Sequence, residues 1–148
     1  AGLAVADHVI VIGYGVSGRN VTRVLTRHGV HHVVVEMNPA TVRRIRAEVE
    51  HVFYGDATQE EVLRHAGIAD ARVLVIAIPD PAATRQIVAV AKKLRPDLFV
   101  VVRTRLVAEV EALRRLGATS VVPEELETSL ELAGRALAAF GVEDSATC

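Results

Sequence analysis

The chain has 148 residues, 51% of them apolar and 3% aromatic, with 17 Lys+Arg against 18 Asp+Glu and a formal net charge of −1. A domain of this size buries roughly 70% of the surface its unfolded chain exposes, so it can hold a core without disulfides or structural metal. The one cysteine, Cys148, is the last residue, which excludes an internal disulfide and a cysteine-rich zinc site and fits a reducing compartment.

The cations, 15 Arg and two Lys, are spread along the sequence, which predicts no electrostatic footprint for nucleic acid or anionic lipid. The longest apolar run, Val73 to Ile78, is far below the ~18 residues of a membrane helix. The chain begins at Ala1 with no Met and no charged segment before an apolar stretch, so it reads as an excised piece rather than a secreted protein.

Short β-branched runs alternate with stretches of helical period, the pattern of a parallel sheet covered on both faces. The predicted strands, in chain order, are His8 to Ile12, His32 to Glu36, His51 to Tyr54, Val73 to Ile78, Leu98 to Val102 and Thr119 to Val122. The fourth and fifth are apolar throughout, as central strands buried on both sides are. Between them, Asn38-Pro39 and Asp80-Pro81 each combine a capping side chain with a proline at the first helical position. Thr58-Gln59-Glu60-Glu61 fits a capping box, and Gly67 and Gly117 stand where a left-handed residue closes a helix. Pro96 stops the helix before it.

The last helix, from about Glu124 to Phe140, carries an apolar stripe (Leu126, Leu130, Ala133, Leu137, Phe140) and a weaker second one (Leu132, Ala136, Ala139). Packing on its own sheet takes one stripe, so the second is expected to meet a partner subunit in a homodimer. The domain is expected to span 8–141, with a flexible N-terminal segment at 1–7 and a flexible tail at 142–148.

The first strand runs into Gly13-Tyr14-Gly15-Val16-Ser17-Gly18, the G-x-G-x-x-G spacing, and a helical pattern follows. Gly13 permits the tight turn, Gly15 lets a pyrophosphate approach the backbone, and Gly18 lets helix and strand pack closely, with the phosphates at the helix N-terminus. Glu36, at the end of the second strand, is placed to accept both ribose hydroxyls, and its charge repels a 2′-phosphate. NAD(H), AMP, ADP or ATP are thereby favoured over NADP(H). Asp56, after the third strand, is placed to accept from an adenine amino group or to cap the next helix, and Met37 to wall the adenine or ribose. Glu124 and Glu125 suit the acidic first turn of a helix, and His28, His31 and His32 follow no standard metal-ligand spacing, so no metal site is expected.

HVIVIGYGVSG, the acid at Glu36, VFYGDAT at Val52 to Thr58, AGI and AD-A within Ala66 to Ala71, VLVIAIPD, VVRTR and GATSVVPEE together resemble the TrkA-N domain, the N-terminal part of regulator-of-potassium-conductance (RCK) domains. The likeness is greatest to Kef-type glutathione-regulated potassium efflux proteins and covers about residues 8 to 140. The resemblance implies an α/β, doubly wound, Rossmann-like three-layer fold with six parallel strands. It also implies a regulatory domain, not an enzyme, that binds NAD(H) or an adenine nucleotide at the cytoplasmic face of the membrane. There it would gate a membrane-embedded potassium transporter or channel, in the same polypeptide. Carried over by motif, Gly13, Gly15 and Gly18 form the phosphate turn, Glu36 holds the ribose, Asp56 and Ala57 border the adenine, and Arg103 faces the phosphates. Many relatives have Arg directly after the second glycine; Val16 stands there, which removes a phosphate contact.

The alternative class is the cofactor domain of a NAD-dependent oxidoreductase. Such an enzyme needs a substrate domain and a positioned acid or base, and only one helix and a short tail follow the sixth strand. A scaffold with an empty site is the third possibility.

Overall fold

In a computed structural model that describes residues 6–143, the β-branched runs become six parallel strands: β1 (Val9–Ile12), β2 (His32–Glu36), β3 (Val52–Tyr54), β4 (Val73–Ile76), β5 (Phe99–Thr104) and β6 (Ser120–Pro123). They form one sheet in the order β3-β2-β1-β4-β5-β6, and every pair is parallel. The helices are α1 (Val16–Arg27), α2 (Pro39–Ile45), α3 (Glu60–His65), α4 (Pro81–Leu94), α5 (Val110–Leu116, after a 3₁₀ turn at Val107–Glu109) and α6 (Glu124–Ala138). This is the doubly wound α/β fold. The chain winds outward from β1 in one direction and then, after β3, in the other, so the connection order reverses between β1 and β4.

Right-handed crossovers decide which helix covers which face. On one face Ile10, Ile12, Val33, Val35, Leu74, Ile76, Val100 and Val102 pack against Leu63 of α3, Ile87 and Val88 of α4 and Leu113 of α5. On the other, Val9, Val11 and Val34 pack against Val21 and Leu25 of α1 and Ile45 of α2. Burying each such aliphatic side chain stabilises the fold by about 1.5–3 kcal/mol.

The second face is covered only in part, which corrects the expectation for β4 and β5. Leu74, Ile76, Val100 and Val102 are inaccessible, but their alternating neighbours Val73, Val75 and Val101 are half-buried and Phe99 is exposed. The strand buried throughout is β1. Only α1 and α2 lie on that face, over the β1 side of the sheet, because the right-handed return from β3 puts α3, α4 and α5 opposite.

Local signals behave as their chemistry requires, with one exception. Asn38 Oδ1 accepts from the amides of Ala40 and Thr41, Asp80 Oδ1 accepts from that of Ala83, and each is followed by proline at the first helical position. Gly67 and Gly117 take left-handed φ of +81° and +111° and close α3 and α5. Thr58 does not form the expected capping box: its amide and hydroxyl both donate to Asp56 Oδ1, at 3.0 and 2.8 Å, and α3 starts after Gln59 with no side-chain cap.

The largest departure is α6. None of its residues is buried; Leu126, Leu132 and Leu137, and Phe140 just beyond it, are all exposed. Neither stripe packs on the chain's own sheet. At the N-terminal end of the described residues, Asp7 donates its amide to Asp70 O and its carboxylate accepts from Arg72 at 2.6 and 3.0 Å. The expected flexibility of 1–5 and 144–148, and Cys148, lie outside the described residues. Among those described, no helix is long and apolar enough to cross a membrane.

Candidate nucleotide site

The connection reversal leaves a crevice of about 220 Å³ at the carboxyl ends of the strands, the place where doubly wound sheets take ligands. Gly13, Glu36, Met37, Asp56 and Ala57 line one side, and Ile78, Pro79 and Asp80 the other.

The three glycines of the turn answer to different demands. Gly13 has φ +95°, and a Cβ there would lie 2.7 Å from Ile78 Cγ2; at Gly18 it would lie 1.9 Å from Gly13 O. Both are required by the fold itself. At Gly15 a Cβ would meet nothing within 4 Å, and φ is an ordinary −76°. Gly15 is the N-cap of α1, whose first turn has neither a capping side chain nor an acid, so among the described residues no side chain takes its leading amides.

Glu36 is built into this turn. Its Oε1 accepts from the Tyr14 amide at 3.1 Å and its Oε2 from the Asn38 amide at 2.6 Å, so one carboxylate ties the glycine turn to the β2–α2 corner. A carboxylate has about four acceptor positions, and two are used. Asp56 is similar: Oδ1 takes both Thr58 donors, which leaves Oδ2.

The other sequence-predicted residues are distributed as follows. Tyr14 contributes only its amide, because its ring is buried against α1 and α2 and its hydroxyl reaches Glu48 at 3.4 Å. Val16 is 80% exposed and, like Gly15, Ser17 and Gly18, does not line the crevice wall. Met37 lines it while remaining largely exposed, and Ala57 is buried. Arg103 is placed elsewhere: its guanidinium pairs with Glu124 at the start of α6, and it lines a neighbouring cavity of about 130 Å³ with Arg85 and Arg105. The two spaces share Ile78 and Pro79. Sequence reasoning gave Ile78 and Pro79 no place at the ligand site and read Asp80 only as a helix cap; the apolar-to-proline end of VLVIAIPD was the signal, because it marks the strand on the far side of the reversal.

The carboxyls held below the ordinary range lie outside the crevice. Glu60 is lowered by its hydrogen bond to Lys93 and that ammonium's charge, and Asp97 by a backbone amide and then Arg95. Among the described residues no group of His, Cys, Asp or Glu is arranged to hold a metal ion, and His28 and His31 are exposed.

The TrkA-N domain model matches residues 9–124, most of the chain and the whole of the crevice. The chain belongs to the TrkA-N family. This TrkA-N domain is 37% identical over 134 residues to the glutathione-regulated potassium-efflux system protein KefC of Salmonella arizonae, covering 90% of the chain and 22% of that protein. It therefore spans about a fifth of the curated relatives it matches. Among solved structures it resembles the TrkA-N domain of the Escherichia coli inner membrane protein ybaL (TM-score 0.84, 27% identity, 88% of this chain and 97% of that one). It also resembles the Kef CTD of Shewanella denitrificans in AMP-bound form (TM-score 0.76, 35% identity, 95% of this chain and 84% of that one).

Proposed function

We propose that this TrkA-N domain is a regulatory sensor that binds an adenine nucleotide and sets the activity of a potassium transport protein. The observation that carries the reading is the glycine turn. Gly13 and Gly18 are needed by the chain itself, whereas Gly15, the N-cap of α1, stands beside open space that leaves room for a ligand's phosphate at the helix N-terminus.

In this reading the phosphate rests on the leading amides of α1. The ribose hydroxyls donate to the two acceptor positions that Glu36 has left, and its charge disfavours a 2′-phosphate, hence NAD(H) over NADP(H). The adenine lies against Met37 and Ala57, with its amino group donating to Asp56 Oδ2. AMP, ADP, ATP and NAD(H) share this moiety, and the AMP-bound Kef relative supports it. Beyond the first phosphate, Val16 offers no cation and Arg103 is engaged by Glu124, so longer phosphate chains gain little. Arg103 would contact a phosphate only by leaving that pair.

The chain needs no catalytic group for this task, only unequal affinity for two conformations, typically a coupling of ~1–3 kcal/mol. The potassium-efflux and inner-membrane relatives support attachment to a membrane potassium transporter, and in this reading the domain lies at the cytoplasmic face. The partly covered β4–β5–β6 face and the unburied α6 support a homodimer in which α6 of one copy covers a second. Calorimetry with AMP, ADP, ATP, NAD and NADH, followed by assay of NADH oxidation with small carbonyl compounds, tests the reading: tight binding without turnover is expected, and no binding or steady turnover would overturn it.

A further inference from the structure

The helices on the partly covered face carry an unusual charge. Arg19, Arg23 and Arg27 recur every four residues along α1, which keeps them within about 80° of one another around the helix axis. Arg43 and Arg44 of α2 and Arg46 at its end add three more, and all six are exposed. Neither helix contains an acid, and between residues 8 and 46 the only carboxylate is Glu36, whose oxygens accept backbone amides. No carboxylate among the described residues lies within ion-pair distance of any of the six. Other helices show the reverse pattern: Arg64 pairs with Glu60, Arg115 with Glu111 and Arg135 with Glu131. Cations spread along the sequence are therefore gathered by the fold onto two neighbouring helices.

We infer that the outer side of α1 and α2 is a docking face for anionic lipid headgroups. Guanidinium forks suit phosphate, and six of them outnumber the acids bordering this face, Glu48 beside Arg23 and Arg27 and Glu50 after it, so the face is attracted to a negatively charged surface. The exposed positions between them on these helices are Val, Asn, Thr and Ala, with no aromatic anchor of the kind that centres protein interfaces or stacks on bases. The attraction of each arginine is small, but attachment to a membrane protein would hold the face beside the bilayer at high effective concentration. The inference rests on the proposed membrane attachment for that proximity alone. The nucleotide crevice plays no part in it, so vesicle binding and nucleotide binding fail separately.

The test is co-sedimentation of the whole chain, without nucleotide and at low ionic strength, with phosphatidylglycerol-containing vesicles and with phosphatidylcholine vesicles. Binding to the first alone is expected, weakened about tenfold or more by Arg23→Gln/Arg27→Gln or by Arg43→Gln/Arg44→Gln, and little changed by Arg114→Gln/Arg115→Gln on α5. Circular dichroism and urea unfolding of the same variants verify that they are folded, whether or not they bind nucleotide. Absence of binding to anionic vesicles, equal loss from the α5 variant, equally tight capture by duplex DNA, or a change from dimer to monomer in the α1 variant would each overturn the proposal.

Discussion

Glu36 holds two backbone amides and, as proposed, a ribose with the same carboxylate, and the two roles have different energetic signatures. Replacing it by Ala removes the proposed ribose acceptors and leaves the Tyr14 and Asn38 amides without theirs. The expected result is a fall in nucleotide affinity of about tenfold to a hundredfold (~1.4 to 2.7 kcal/mol), with a stability loss of about 1 kcal/mol. Calorimetry and urea unfolding measure the two; unchanged affinity would remove the ribose role. The glycines give a sharper contrast. Gly18→Ala forces a methyl against Gly13 O and is expected to destabilise by about 1–3 kcal/mol. Gly15→Ala has room and is expected to stay within about 1 kcal/mol of the parent while losing most nucleotide affinity. If Gly15→Ala binds AMP as well as the parent does, the phosphate does not lie there. These roles were legible only in part beforehand: the spacing marked all three glycines, but which ones the fold itself needs depends on where Ile78 and the Gly13 carbonyl lie.

At the scale of elements, α3 and α4 are tied at the surface by Lys93 Nζ donating to Glu60 Oε1 at 2.6 Å. Because that contact lowers the Glu60 pKa below its unfolded value, it stabilises the folded state above the unfolded pKa and ceases to do so as pH falls through the folded one. Lys93→Gln is thus expected to melt below the parent at neutral pH and together with it near about pH 2; a gap that persists in acid would mean that the lysine acts through packing. Most elements could be read in advance, since Asn38-Pro39, Asp80-Pro81, Gly67 and Gly117 act within a few residues of themselves. Thr58 could not, because Asp56 competes for its donors at a range where both arrangements fit the same letters. Nor could the exposure of Val73 and Phe99, since apolar composition is the same whether a helix of this chain or of another covers a strand.

For the whole molecule, the proposed homodimer draws on two surfaces that the described residues leave partly open. Leu132 is 66% exposed on α6, and the β4–β5–β6 face has no helix of its own among the described residues. Leu132→Glu is expected to shift a sedimentation-derived mass from dimer towards monomer while nucleotide binding persists; a mass unaffected by the substitution would place the contact elsewhere. The sequence revealed the second stripe on α6 but not that both stripes would be free, because amphipathic period reports that a helix wants cover and not which chain supplies it.

The carboxylate that bridges the glycine turn and the β2–α2 corner also bears on kinetics. Since those two segments are fastened without a ligand, a nucleotide bound as proposed would enter a mould already set and cost little backbone freedom on capture. Association should then be quick and nearly insensitive to solvent viscosity beyond the diffusive part, and changes in cellular nucleotide level would be registered through the rate of departure rather than the rate of arrival.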